Sequence, residues 1–330
     1  MRVISLEDHF MDPAIAEASG NPNPNAAGGS PLDRNLGDLG EKRIAAMDAA
    51  GIDFQVISHT TPGVHALPAH DAVPLARGAN DRLAAAVREH PDRFAGFAHL
   101  PTADPAAAAD ELERAVAELG FLGAMVNGHT GGRFLDDPAY DVLLARAERL
   151  RVPVYIHPVP PTDAVREAYY DGFAPPVTWF LSCAAIGWHF ETGLHLLRMV
   201  LAGVFERHPD LTVIVGHMGE VLPFMLARVD DNLPPDITGL QLPPSAYIRS
   251  NVHITTSGLF TVPPLLCALM VLGADRVMFS VDWPYAPNEA GRRLLDIAPL
   301  SPPDMEKLTH ANAERVLGLR PVDSGSAAPV

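Results

Sequence analysis

Short apolar runs alternate with longer stretches of helical character along nearly the whole chain. The runs are 2–5, 54–58, 94–98, 123–126, 152–156, 211–215, 252–256 and 277–280. Most are near-continuous rather than polar at every second position, as strands of a parallel sheet covered on both faces are. Between them, helical patterns occupy 41–50, 71–89, 105–119, 138–150, 187–207, 221–230 and 262–272, and two more near 289–297 and 302–317 close the chain. Gly51 and Gly120 stand where helices stop, and Pro105 where one starts. Eight strand–helix units at this spacing predict an α/β fold, a single (β/α)8 TIM barrel over residues 1–320. Periodicity alone leaves a doubly wound sheet open. Asn-Pro-Asn-Pro-Asn and Ala-Ala-Gly-Gly-Ser-Pro mark 11–39 as a long loop, 158–185 is a long loop insertion after the fifth strand, and the tail at 321–330 is expected to be disordered.

A barrel carries its chemistry at the C-terminal ends of its strands, and several of these ends are polar. The first run leads into Leu6-Glu7-Asp8-His9-Phe10. Alternate residues of a strand share a face, so Glu7 and His9 point one way and Asp8 the other. His157 ends the fifth strand, His217 follows the sixth with Glu220 three residues on, and Asp282 follows the eighth. Imidazoles and carboxylates converging around an open position suit a catalytic Zn²⁺ or Mn²⁺. Each alone also reads as an ordinary polar strand end. His59 and His99 end the second and third strands, and Asn127 the fourth.

Composition narrows the partners. With 24 basic and 40 acidic residues the formal charge is −16, which argues against a nucleic-acid or anionic-membrane surface. Cys183 and Cys267 sit in apolar surroundings and read as reduced residues of a cytoplasmic protein, and no signal-peptide pattern opens the chain. Two long stretches, 172–190 and 251–274, lack Asp, Glu, Lys and Arg. Pro, Gly and hydroxyl residues break both, so neither reads as a membrane span. The second reads as a strand, a turn and a buried helix.

An ordered series of motifs carries a resemblance over essentially the whole chain. It comprises Glu7-x-His9, Arg43-x-x-x-Met47-Asp48-x-x-Gly51-Ile52, Pro91-Asp92-Arg93-Phe94, Gly123-Ala-Met-Val-Asn127-Gly128, His157-Pro158, Gly216-His-Met-Gly-Glu220, His253-Ile-Thr-Thr-Ser-Gly258 and Phe279-Ser280-x-Asp282-Trp283-Pro284. In these the chain resembles the amidohydrolase-related metal-dependent decarboxylases, above all those of γ-resorcylate and related hydroxybenzoates, and more distantly aminocarboxymuconate semialdehyde decarboxylase. The resemblance implies an amidohydrolase-like barrel with one divalent metal ion, Zn²⁺ or Mn²⁺, held by Glu7, His9, His157 and Asp282, with His217 beside it. The chain departs from the resorcylate type at His59 and His99, where apolar residues are expected, in a short 129–136 loop and in 158–185.

The activity implied is non-oxidative decarboxylation of a hydroxyaromatic or related unsaturated carboxylic acid. Asp282 is the expected proton donor, with His217 and Glu220 tuning protonation around it. Phe10 and Trp283 are candidates to stack on the substrate ring, and Asn127 belongs to the substrate-binding set. Matching the semialdehyde decarboxylase, Arg43 would bind a substrate carboxylate from within the chain, and Arg228 from a neighbouring subunit of a homodimer or homotetramer. The alternative is a single-metal hydrolase or hydratase with a metal-activated water. Lys42 and Lys307, the chain's two lysines, both fall in helices, so no lysine stands at a strand end to bridge two metals.

Overall fold

The computed structural model describes residues 1–20 and 29–319. Nine parallel strands run in chain order: β1 (Ile4–Phe10), β2 (Phe54–His59), β3 (Phe94–Gly96), β4 (Ala98–His99), β5 (Ala124–Asn127), β6 (Val154–His157), β7 (Val213–Val215), β8 (Val252–Thr255) and β9 (Val277–Met278). β3 and β4 are the third expected strand, interrupted at Phe97, so the eight expected units are all present. β1–β3 pair in one sheet and β4–β9 in another, and Phe97 N–H donates to Ile57 O at 2.9 Å between them. At the other edge His9 N–H donates to Trp283 O at 2.7 Å and Asp282 N–H to Glu7 O at 2.8 Å. These bonds bring the first and last strands of a (β/α)8 barrel together.

Each strand is buried on both sides, but its alternate residues serve two cores. Ile4, Leu6, Phe54, Val56, Phe97, Met125, Tyr155, Ile214 and Met278 fill the barrel interior, where Ala313 and Leu317 join them. Their neighbours Val3, Ile57, Val126, Val154, Ile156, Val213 and Val215 pack outward with the helices. The continuous apolar runs therefore contain a period of two, masked because both faces are dry. Above the apolar filling, the inward register continues into His9, Ser58, His99, Asn127 and His157, which form a polar ring at the mouth.

Several expected boundaries change. The strand expected to end at Ser5 runs on to Phe10. The expected 11–39 loop contains helices Pro13–Ser19 and Pro31–Leu36, started by Asp12 and by a Ser30–Asp33 capping box. Residues 158–185 fold into helices Asp163–Tyr169 and Pro175–Ser182 rather than an open loop. The 187–207 helix breaks at Gly203 into Gly187–Leu201 and Val204–Arg207. Helix Val262–Leu272, expected to be buried, leaves Met270 86% exposed. The expected disordered tail lies outside the described residues. No described helix is long and apolar enough to cross a membrane.

Candidate metal centre

A β-bulge aims the first pair of ligands. Ile4 and Ser5 pair with Phe54 and Gln55, but Asp8 and His9 pair with Ile57 and Ser58, so β1 carries one extra residue between Ser5 and Asp8. The bulge shifts the inward parity and brings Glu7 and His9 to the interior. Asp8 points away, where its carboxylate accepts from Trp283 N–H at 3.2 Å.

Glu7, His9, His157 and Asp282 each offer a ligand atom, and these four atoms all lie within 4.8 Å of one another. Their other atoms are already committed. His9 Nδ1 lies 3.2 Å from Ser58 Oγ, and His157 Nδ1–H donates to Pro158 O at 2.7 Å. Both contacts leave Nε2 as the inward lone pair. Burial, with His9 alongside, pushes His157 down to about 3, which keeps it neutral as a ligand must be. One Glu7 oxygen, Oε2, accepts from the hydroxyls of Tyr155 and Ser257. A Cβ at Gly216 would stand 2.4 Å from that same oxygen, so only glycine fits there.

The inward atoms are left over. Glu7 Oε1, His9 Nε2 and Asp282 Oδ1 are buried without a hydrogen-bond partner, and His157 Nε2 lies 3.4 Å from Glu7 Oε1. Orphaned buried polar atoms of this kind are costly. Two imidazoles and two carboxylates turned on one point fit a divalent transition-metal cation, whose charge would satisfy all four.

Asp282 joins this group to a second one. Its Oδ1 is 3.1 Å from His9 Nε2, and its Oδ2 is 3.9 Å from His217 Nε2. His217 Nδ1 contacts Glu220 Oε1 at 2.8 Å, and Glu220 Oε2 contacts His189 Nδ1 at 2.7 Å. Burial alone would favour neutral groups here. The carboxylates of Glu220, Glu7 and Asp282 outweigh it and raise His217 well above its ordinary value. Reciprocally, His217 and His9 hold Asp282 well below the usual carboxylate range against its burial. Backbone strain concentrates at the same place. Of six described non-glycine residues with positive φ, five are His217, Met218, Glu220, Val221 and Asp282. Such conformations cost roughly 1–3 kcal/mol each and gather at functional sites.

A cavity of about 670 Å³ opens onto these groups, with His157, His217 and Asp282 in its wall. The remaining lining is mostly apolar, including Val159, Trp179, Phe180 and Trp188 from the region after β6. The volume lies within the range of small-molecule sites.

None of the five expected substrate contacts is among the cavity-lining residues. Phe10 directly follows His9 on β1, so strand parity turns it outward, and Trp283, beyond the end of β9, is buried in the outer core. Phe10 packs edge-on against His59 at 5.2 Å, and Trp283 lies under the Arg43 guanidinium at 4.2 Å. Arg43 is fully buried, and its guanidinium donates to His9 O at 2.5 Å and Asp38 O at 2.9 Å. It braces β1 from behind and does not face the cavity. Arg228 is exposed on the outer helix Leu222–Asn232. Asn127 stands beside His157 in register, buried, with neither side-chain atom hydrogen-bonded. His59 and His99 anchor loops. His59 Nε2 accepts from Asp12 N–H at 3.1 Å, and His99 Nε2 from Val64 N–H at 3.0 Å. Sequence reasoning missed Tyr155, Ser257 and His189. Ser257 lies within the quoted His253–Gly258 motif, whereas Tyr155 and His189 carried no signal.

The family profile described as amidohydrolase matches residues 9–319. Decarboxylase orsB of Emericella nidulans is 40% identical over 327 residues, covering 96% of each chain. The γ-resorcylate decarboxylase of Rhizobium sp. is 37% identical over 333 residues, covering 96% of this chain and 98% of its own. A dihydroxybenzoic acid decarboxylase from Polaromonas sp. JS666, solved with bound manganese and the inhibitor 2-nitroresorcinol, superposes with a TM-score of 0.89 at 32% identity, covering 97% and 98%.

Proposed function

Because this chain belongs to the amidohydrolase family, we propose that it removes the carboxyl group of a hydroxyaromatic or related unsaturated acid as carbon dioxide, with one divalent ion held by Glu7, His9, His157 and Asp282. The observation that carries the reading is the Asp282 carboxylate, turned with one oxygen to the ligand cluster and the other to His217. Mn²⁺ is the first choice of ion, since the Polaromonas enzyme was solved with it; Zn²⁺ suits the same ligands. When bound, the cation supplies a fixed positive charge that orients the substrate carboxylate and an adjacent oxygen.

The chain's own groups move the proton. His217, kept cationic by Glu220, holds a proton facing Asp282 Oδ2. Asp282 takes it and delivers it to the ring carbon that bears the carboxylate. The carbon–carbon bond then breaks, its electron pair restores the aromatic ring, and CO₂ departs. The apolar wall keeps water from competing for the proton. We place this chemistry in the cytoplasm.

The test is metal analysis followed by CO₂ release from a panel of hydroxybenzoates that includes 2,6-dihydroxybenzoate. About one Mn²⁺ or Zn²⁺ per chain and release from at least one acid are expected. Stoichiometric metal with no release from any acid overturns the reading.

The same reading includes a homodimer or homotetramer in which Arg228 reaches the neighbouring subunit's substrate carboxylate, where a guanidinium can pair bidentately. Arg228 has no ion-pair partner among the described residues, and one turn before it on the same helix stands Phe224, 80% exposed, while the helix Val262–Leu272 packed against that helix carries the exposed Met270. Apolar groups so exposed fit a covered surface. Mixing Asp282→Asn with Arg228→Ala under conditions of subunit exchange should restore activity in hybrids. No recovery despite proven exchange removes Arg228 from the neighbour's site.

A further inference from the structure

Glu220 is a buried carboxylate with two hydrogen-bond partners among the described residues, and the proton path above uses only one of them. Oε1 faces His217 Nδ1, inside the path. Oε2 accepts from His189 Nδ1–H at 2.7 Å. The other nitrogen of that ring, Nε2, lies 3.2 Å from Ala184 O. An oxygen acceptor at each nitrogen fixes the His189 ring from both sides. His189 lies outside every motif that carries the family resemblance.

The fold builds this contact. His189 stands in the first turn of the helix Gly187–Leu201. A Cβ at Gly187 would stand 2.2 Å from Ser182 O, so glycine lets the helix start against the turn before it. A Cβ at Gly193 would stand 2.5 Å from Glu220 O, so glycine lets the same helix close on the segment 217–221. That segment holds four of the positive-φ residues, His217, Met218, Glu220 and Val221. Strained backbone persists only where its surroundings over-determine it. The helix supplies that restraint through the approach at Gly193, the His189–Glu220 bond and the edge-on contact of the His189 and His217 rings at 4.7 Å. Without His189, Glu220 keeps a single partner and its carboxylate is free to turn. His217 is then no longer held with Nε2 toward Asp282 Oδ2, 3.9 Å away.

We propose that His189 is a positioning residue for proton delivery: by donating to Glu220 Oε2 it locks the carboxylate that aims His217 at Asp282. The proposal rests on the decarboxylase reading for where the proton goes, and adds to it a residue on a separate helix that acts through Glu220 and His217.

The experiment compares His189→Phe, His189→Ala and His189→Asn, each loaded with Mn²⁺, on the hydroxybenzoate that the wild type turns over fastest. Phe and Ala carry no donor, whereas the Asn amide takes the place of Nδ1–H. In the first two, kcat should fall about 30-fold, within the cost of misplacing a reacting group by about 1 Å. Metal content and the Kd from tryptophan quenching should stay within about twofold of wild type, and His189→Asn should recover most of kcat. A role in folding alone would lower Tm and leave the kcat of the folded protein unchanged. A second readout needs no turnover. In Zn²⁺-loaded protein labelled with nitrogen-15 histidine, the His217 Nδ1 proton should give a protected low-field signal, identified by its loss in His217→Gln. That signal should survive in His189→Asn and be lost to exchange with water in His189→Phe. The proposal is overturned if folded, metal-loaded His189→Phe and His189→Ala keep kcat within about twofold of wild type, if His189→Asn is as slow as they are, or if Kd weakens in step with kcat. Should no acid release CO₂, the decarboxylase reading fails and the His217 signal alone decides whether His189 holds the pair, its persistence in His189→Phe overturning the proposal.

Discussion

Asp282→Asn is expected to lower turnover about a thousandfold while substrate affinity changes little, within the range a positioned general acid contributes. The amide keeps an oxygen donor near His9 Nε2, 3.1 Å from the carboxylate in the native chain. It cannot take a proton from His217 and pass it on. Affinity rests on the ion and the apolar wall, which the substitution leaves in place, so the loss belongs in kcat rather than binding. The measurement is kcat together with a Kd from fluorescence, on protein shown by elemental analysis to retain its metal. Turnover within roughly tenfold of wild type, about 1.4 kcal/mol of barrier, would make another group the acid.

Much of this was legible because strand parity is a hard geometric rule. Glu7 and His9 share a face and Asp8 opposes them, as the alternation requires. The same rule turns Phe10 away from the cavity, since it directly follows His9 on β1; reading it as a ring-stacking residue set parity aside. Trp283 lies beyond the last strand, where parity does not apply, and packs under Arg43. The bulge between Ser5 and Asp8 was not legible, because it is a property of the pairing with β2. Tyr155 reads as one more large apolar residue in a buried run, and only the fold shows its hydroxyl on Glu7. His189 stands on a helix, Gly187–Leu201, and a helix in isolation does not say which face meets Glu220. Arg43 was chosen by likeness to a carboxylate-binding arginine. Here the helix Glu41–Ala50 turns it under β1, where it fixes the His9 backbone.

The largest expected loss is that of His157→Ala, which should abolish metal binding and activity together. His157 is held from outside by Pro158 O at 2.7 Å and presents Nε2 inward, 3.4 Å from Glu7 Oε1. Removing it leaves one imidazole and two carboxylates, with Glu7 and Asp282 no longer satisfied by a complete coordination shell. Losing even an outer partner of a ligand costs about 10–100-fold in metal affinity, so losing the ligand itself should cost more. After dialysis the variant should hold less than about 0.1 ion per chain, a level at which bound metal no longer adds to stability. Thermal unfolding gives an independent readout. Added Mn²⁺ should raise the wild-type Tm by mass action and leave that of the variant unmoved. The substitution is not expected to unfold the barrel by itself, because the native ring stays neutral and adds no charge pairing to the fold. Full metal occupancy in His157→Ala, or a Tm that still climbs with Mn²⁺ as steeply as in wild type, would remove His157 from the ligand set.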